Sequence, residues 1–323
     1  MLDQWVITAE PSPQHRQWAS ESRYLFASPD WGRITEALGA RPMYAWNREI
    51  GVGAMVPVFS RFGIRVGFLG FPVLGQPWED LSFSQMKDTA SQLATALGLH
   101  VLRLNGSMLR AFDSSMTAAR PEVWIEDLQS WSPEANKRLR RDLAFARRSS
   151  QGIRLGRDCA DALACYRLYE ATVKAHAGKI RYSPSYFSRL FALAETQVGL
   201  EIFTAVGDAG VVHGFSVLTV HGSTAYYLHG AADEVGRRCG VSDLLLEMLV
   251  LQARQMGASK LSLMSSPWEQ IGLVKFKQKW GTDSGLAVTH DVATGLVGCG
   301  IGAIIKLSRL RDRKLAENFI RNS

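Results

Sequence analysis

Gly272-Leu273-Val274-Lys275-Phe276-Lys277-Gln278-Lys279-Trp280-Gly281 is a ten-residue run set between two glycines. Leu273, Val274, Phe276 and Trp280 alternate irregularly with three lysines, and the spacing predicts a short helix over residues 272–280. Phe276 reads as an apolar anchor, and Lys277 follows it directly. Lys275 and Lys279 lie two positions to either side, on other helical faces, and read as surface lysines.

Working back from this run, Lys260 to Met264 reads as a strand and Ser242 to Met256 as a helix. Strand signals recur at residues 200–205, 211–220 and 224–229, separated by the Gly207-Asp208 and His221-Gly222-Ser223 turns. Helical spacing covers residues 161–176 and 184–195. The first half has a similar order. A helix follows Ser28-Pro29-Asp30-Trp31 and stops at Gly39, with Ser28 or Asp30 as its cap. Strands are predicted at residues 43–46, 53–58, 66–70 and 101–104, with a helix over 83–97. Two similar halves predict an α/β chain with mixed sheets. The expected partition is residues 1–130, a basic connecting helix at 131–152, residues 153–290 and a tail at 291–323.

The composition admits this. The 323 residues are 46% hydrophobic and 21% charged, with nine Trp and fourteen Phe, which suits a globular chain with ample core and argues against disorder. Basic residues exceed acidic ones by 37 to 30, and the surplus is concentrated. Lys137, Arg138, Arg140, Arg141, Arg147 and Arg148 sit within twelve positions, with Glu134 and Asp142 as the local acids, while Leu139, Leu143 and Ala146 keep an apolar seam. The cations form either a solvated face or a site for an anionic substrate or cofactor, with Arg140 and Arg141 central. A tRNA is one such partner. DNA is not expected, and the aromatic interleaving of a single-strand groove is missing.

Cys159, Cys165, Cys239 and Cys299 form no CxxC pair and have no histidine at metal spacing, so they read as free thiols with no metal site. The start of the chain carries no secretory pattern, and the apolar stretch after Gly295 falls short of the roughly 20 residues a membrane span needs. A cytoplasmic location is expected. From Leu296 to Arg313, isoleucines and leucines alternate with Lys306, Arg309, Arg311 and Arg313. That tail fits a helix packed on the body or an interfacial helix on an anionic membrane. Gly298, Gly300 and Gly302 weaken the helical expectation before Ala303.

From about Phe26 to Gly281 the chain resembles the Fem-like branch of the GNAT acyltransferase superfamily. The basic helix between Trp131 and Gly152, the Tyr226-Tyr227 strand before a leucine-rich helix, and the opening segment carry the likeness. The resemblance implies two tandem GNAT-like domains and transfer of an acyl or aminoacyl group to an amine, with the acceptor a small-molecule or lipid-linked precursor of the envelope or a polysaccharide. It places Lys277 at the reacting centre and Phe276 and Tyr227 beside the substrate. Such transfer needs a neutral amine, an activated acyl group and donors facing the developing oxyanion, which is the electrostatic role assigned to Lys277.

Arg237-Arg238-Cys239-Gly240-Val241-Ser242 is similar to the GNAT pyrophosphate loop, with Ser242 in place of the final small residue. Arg237, Arg238, Gly240 and Ser242 are thus candidate contacts for acyl-CoA as a co-substrate, with no tightly bound cofactor, at a helix N-terminus suited to phosphate. A plain turn with a serine cap is the competing reading. His229 and His176 are candidate bases. Trp268 and Glu269 follow the strand ending at Met264-Ser265-Ser266, where relatives often carry an acid; Trp268 is taken as a substrate contact. Aminoacyl-tRNA is the alternative donor. A silent GNAT-like protein binding an anionic glycolipid or nucleotide is a further alternative.

Overall fold

The computed structural model describes residues 4–22, 24–75, 78–109, 116–157, 161–176 and 178–321. In chain order the elements are β1 (Trp5–Thr8), α1 (Pro13–Ser22), α2 (Pro29–Glu36), β2 (Arg41–Asn47), β3 (Val52–Arg61), β4 (Ile64–Leu69), α3 (Phe83–Ala96) and β5 (Val101–Leu109). Next come β6 (Ala118–Ile125), α4 (Lys137–Ser149), β7 (Arg154–Gly156), α5 (Ala162–Ala175), α6 (Pro184–Ala194), β8 (Leu200–Val206), β9 (Val212–His221) and β10 (Thr224–Ala232). The last are α7 (Glu234–Arg238), α8 (Val241–Gln255), β11 (Lys260–Ser265), α9 (Ile271–Trp280), β12 (Asp283–Ala293), α10 (Gly295–Ser308) and α11 (Leu310–Arg321). These fall into two compact units, Met1–Pro121 with Gly285–Ser323, and Glu122–Ser284. The chain leaves the first unit within β6 and returns to it within β12.

In the first unit the strand order is β1-β2-β3-β4-β5-β12. The strands from β1 to β4 are antiparallel, β4 and β5 are parallel across the α3 crossover, and β12 returns antiparallel to β5. Helix α3 starts where Ser82 and Gln85 form a reciprocal capping box. Ala90, Leu93, Ala94 and Leu97 from the α3 end of this unit share one core with Val52, Ala54, Val56 and Val58, the alternate residues of β3. Arg103 on β5 holds Asp291 on β12 through two hydrogen bonds, 2.7 and 2.8 Å.

The second unit repeats the pattern as β7-β8-β9-β10-β11-β6, again with one parallel step, β10 to β11, crossed by a helix, here α8. Leu139, Leu143 and Ala146 of α4 and Leu244, Leu245, Leu249 and Val250 of α8 bury together with Leu218 and Ala225 against one face of the sheet. Phe187 of α6 meets Phe215 on the other face at 5.9 Å between ring centres.

Two sequence expectations change here. The basic helix does not stand between halves, because its apolar seam is part of the second unit's core and Asn136 both caps it and donates to Lys279 O at 2.9 Å. The glycine-rich stretch after Gly295 is helical throughout. Gly298 is buried, and a Cβ there would lie 2.2 Å from His100 O, so its missing side chain lets α10 lie on that backbone. Cys165, Cys239 and Cys299 are free thiols, and Cys159 lies outside the described residues.

Candidate active site

Helix α9 is the opening segment of the sequence in its folded form, and three of its residues lock it into the second unit. Trp280 stacks on Trp131 at 5.6 Å and donates from Nε1 to Asp243 Oδ1 at 2.9 Å. Lys279, expected at the surface, has a side chain only 7% exposed. Its ammonium bridges Asp142 of α4 at 3.1 Å and Asp243 of α8 at 2.7 Å, and lies 5.2 Å from the Phe276 ring centre. The reading of Lys279 as a surface lysine is therefore corrected: it ties three helices together. Gly281 ends the helix where a Cβ would meet Val123 Cγ1 at 2.1 Å, so β6 comes that close only to a glycine. Phe276 packs against the core under Lys279, as an anchor. Lys275 is exposed.

Lys277 points the other way and is 4% exposed. It donates to Met264 O at 2.8 Å and Ser265 O at 3.2 Å, the carbonyls at the end of β11. The strand is irregular there. Its register against β6 shifts between Ser262 and Ser265, and Met264 has φ +61°, a left-handed conformation that costs a non-glycine residue of order 1–3 kcal/mol. The bend is held from both sides. Ser262 Oγ accepts the Met264 N–H at 2.9 Å and donates its own proton to Glu122 Oε1, while Lys277 takes the carbonyls. Glu122 on β6 is 1% exposed. Burial pushes the Lys277 amine down to about 7, and the nearby Glu122 charge acts against that fall. With two N–H groups committed to carbonyls, the nitrogen keeps one further direction: a donor when protonated, a lone pair when neutral.

This cluster sits beside a parting of strands. β10 and β11 pair at three positions only, ending at Tyr226 and Ser262; β10 then runs on to Ala232 against β9, and β11 to Ser265 against β6. Tyr227 and His229 lie on β10 just past the last pair, with a bulge between them. His229 Nε2 is 2.7 Å from Tyr186 Oη, inside a ring set of Tyr182, Tyr186 and Phe187. Burial pushes His229 down to about 3 and Tyr227 up to about 12. A neutral imidazole in these surroundings, paired with a phenol, is a weak base. The position suits orientation of the Tyr186 hydroxyl better than proton abstraction. His176 is exposed at the end of α5.

The pyrophosphate-like loop occupies α7 and the start of α8. Arg237 donates to Ala232 O at 2.6 Å, and Arg238 pairs with Glu234. Gly240 has φ +76°, and a Cβ on it would lie 2.7 Å from Ala146 Cβ, so α4 crosses directly over this turn. Ser242 is half-buried in the first turn of α8. On α4, Arg140 pairs with Glu134 at 3.4 Å and Arg141 with Asp142 at 3.4 Å, both at the solvent face, and Arg147 finds Glu247 of α8 at 2.6 Å. Trp268 is half-buried in the loop between β11 and α9. The structure thus gathers Lys277 with the end of β11, and Tyr227 with His229 on β10. Arg138, Arg140, Arg141 and Arg147 of α4 pair instead with Asp142, Glu134, Asp142 and Glu247. Glu122, Ser262 and Met264 were not marked as site residues by the sequence, which placed Ser262 and Met264 only as strand positions. Among the described residues no group of three or more His, Cys, Asp or Glu side chains could hold a metal ion.

Comparison with known proteins bears on the fold that carries these residues. Residues 134–270 match the family model of the acetyltransferase (GNAT) domain. The chain is similar in structure to FemX, with a TM-score of 0.66 at 12% identity, covering 93% of this chain and 100% of that one. It is similar to the C-terminal domain of a putative lysylphosphatidylglycerol synthetase from Agrobacterium fabrum, with a TM-score of 0.55 at 17% identity over 94% and 96% of the two chains. It is also similar to L-PGS from Bacillus licheniformis, with a TM-score of 0.52 at 13% identity over 92% and 98%. No curated protein matches the sequence. At these identities the likeness is one of fold.

Proposed function

We propose, from the match of residues 134–270 to the acetyltransferase (GNAT) domain model, that the chain is an N-acyltransferase using an acyl thioester, acyl-CoA or a similar donor, and an amine acceptor. The observation that carries this reading is Lys277, buried at the end of β11 with two protons tied to the Met264 and Ser265 carbonyls and one direction left for the reaction. The acceptor nitrogen attacks the thioester carbonyl carbon and a C–N bond forms. Negative charge gathers on the carbonyl oxygen, where the protonated Lys277 donates its remaining N–H. Collapse breaks the C–S bond, and the proton lost by the nitrogen leaves with the thiol. Donors fixed before the charge develops are the most effective kind. The clamp of Glu122, Ser262 and Met264 fixes this one.

The loop at Arg237, Arg238, Gly240 and Ser242, ahead of the fifteen residues of α8, is the proposed site for the donor's phosphates. Tyr227 and Trp268 are proposed to line the acceptor side. An amine of a cell-envelope or polysaccharide precursor, reached in the cytoplasm, fits the Fem-like resemblance; the similarity to lysylphosphatidylglycerol synthetases adds lipid-linked acceptors to the range. One feature favours a second donor. Helix α4 presents Lys137, Arg138, Arg140, Arg141, Arg147 and Arg148 as exposed side chains, a density of cations suited to the backbone of a charged tRNA.

Thiol release from acetyl-CoA and longer acyl-CoA in the presence of a panel of amino sugars, amino acids and peptides tests the reading. Lys277→Met is expected to lower kcat by about 100-fold or more while leaving CoA binding intact. Unchanged turnover would remove Lys277 from the mechanism. Transfer from aminoacyl-tRNA with no thiol release from any acyl-CoA would establish the second donor instead.

A further inference from the structure

Helix α10 breaks the usual rule for a helix on a water-facing surface. Its fourteen residues include one charge, Lys306. The side resting on the first unit is made of Gly298 and Gly302, which lie against His100 O and the Ala293 methyl. At about 100° per residue, the opposite side carries Leu296, Gly300, Ala303 and Leu307, with Val297 and Ile304 on the flank. A solvent face is ordinarily polar. Here Leu296 is 93% exposed, Ile304 68% and Leu307 66%. The apolar stripe is therefore continuous over the length of the helix, and it is turned away from the protein.

The surroundings of the stripe indicate what covers it. From Gly295 to Arg321 the chain carries six cations, Lys306, Arg309, Arg311, Arg313, Lys314 and Arg321, against two acids, Asp312 and Glu317. Arg309 is paired with Asp312 at 3.0 Å. Two copies of this chain meeting stripe to stripe would bury the leucines but bring two such basic sets together, with only two acids in each to answer six cations. A surface carrying negative charge beside apolar depth accommodates both features. At about 1.5 Å per residue α10 is roughly 21 Å long, short of the roughly 30 Å of hydrocarbon in a bilayer, and no described helix is long and apolar enough to cross one. We propose that α10 lies flat in the surface of an anionic lipid bilayer, its leucine stripe immersed between headgroups, with the cations of α10 and α11 facing the lipid phosphates. This inference stands apart from the reading of Lys277 and holds or fails without it.

Cosedimentation of the full chain with vesicles of phosphatidylcholine alone, and of phosphatidylcholine with a share of phosphatidylglycerol, tests it. Binding is expected to the anionic vesicles, to weaken as salt rises, and to be slight on phosphatidylcholine alone. The exposed double substitution Leu296→Ser with Leu307→Ser should leave the melting temperature and thiol-release activity on soluble amines unchanged and reduce vesicle affinity roughly tenfold or more. Replacing Arg311, Arg313 and Lys314 by Gln should remove most of the preference for anionic lipid. Absence of vesicle binding, equal binding to both vesicle types, or binding indifferent to the double substitution would each overturn the proposal. So would a dimer in light scattering that the double substitution dissociates, since a second copy would then be the occupant.

Discussion

Lys277 is buried at a cost that only its placement explains. Water solvates an ammonium far better than two carbonyls do, and this is why the amine sits at about 7 against an ordinary 10.5. Between those two values the unfolded chain binds a proton at this residue that the folded chain does not. Stability contributed here therefore rises with pH across that window. The difference in unfolding free energy between the parent and Lys277→Met is thus expected to grow in the parent's favour from about pH 7 to about pH 10.5, whatever its starting offset. Urea titrations of both proteins over that range check it, and a flat difference would mean that the amine is not desolvated. Activity follows the opposite sign. A donor role needs the proton, so kcat/KM should fall above about pH 7, provided the acceptor amine is already neutral there. Glu122 holds the amine up against burial, so Glu122→Gln should move that falling limb to lower pH and reduce kcat by up to about tenfold, because the neutral amide oxygen accepts from Ser262 more weakly than the carboxylate does. A purely structural glutamate would change stability and leave the position of the limb unmoved.

At the scale of elements, the sequence was legible where apolar spacing decides the outcome. Helices α2, α3, α5, α6, α8 and α9 and strands β2, β4, β8, β9 and β11 lie within a residue or two of their expected spans, while β3, β5 and β10 begin where expected and run on past their expected ends. β6 and β12 were not read, and the reason is physical. Their apolar positions are interrupted by polar ones whose partners are supplied from distant sequence: Glu122 meets Ser262, Asp291 meets Arg103, and the Asp291 N–H meets Thr117. Single-sequence patterning treats such positions as solvent-facing. The same blindness hid Glu122 from the candidate site and misplaced Lys279, whose two acids lie on α4 and α8. Close helix approaches have a comparable basis. Gly240 adopts a left-handed turn under Ala146, so Gly240→Val should strain the backbone and push α4 from the start of α8. We expect a loss of about 2 kcal/mol or more with weaker CoA binding in calorimetry. Ala146→Gly should recover part of the packing loss in the double variant, and a failure of CoA affinity to respond at all would detach this loop from the donor site.

At the scale of the whole molecule, the repeated strand order leaves each unit with a core of its own, and each also encloses a neutral histidine. In the first unit His15 is buried with Tyr44 at 5.1 Å and Trp18 at 5.5 Å between ring centres, and burial pushes it down to about 4. In the second, His229 is pushed down to about 3. Both lie below the ordinary 6.5, so as pH falls through that value the unfolded chain gains protons that the folded units refuse. Stability is then lost on acidification, and each unit has its own sensor. For His15 the linkage amounts to about 2 kcal/mol between pH 7.5 and pH 5. His15→Phe keeps a ring against Tyr44 and Trp18 and removes the titration, so its stability should change less over that interval than the parent's by about that amount. The second unit's acid response should be left as it was. Hydrogen exchange at pH 7.5 and pH 5 separates the two, because amides of β3 and α3 report one core and amides of β9 and α8 the other. If His15→Phe flattens the acid response of both cores equally, the units unfold as one cooperative body; if it flattens neither, His15 is not the group whose burial sets the acid sensitivity of its unit.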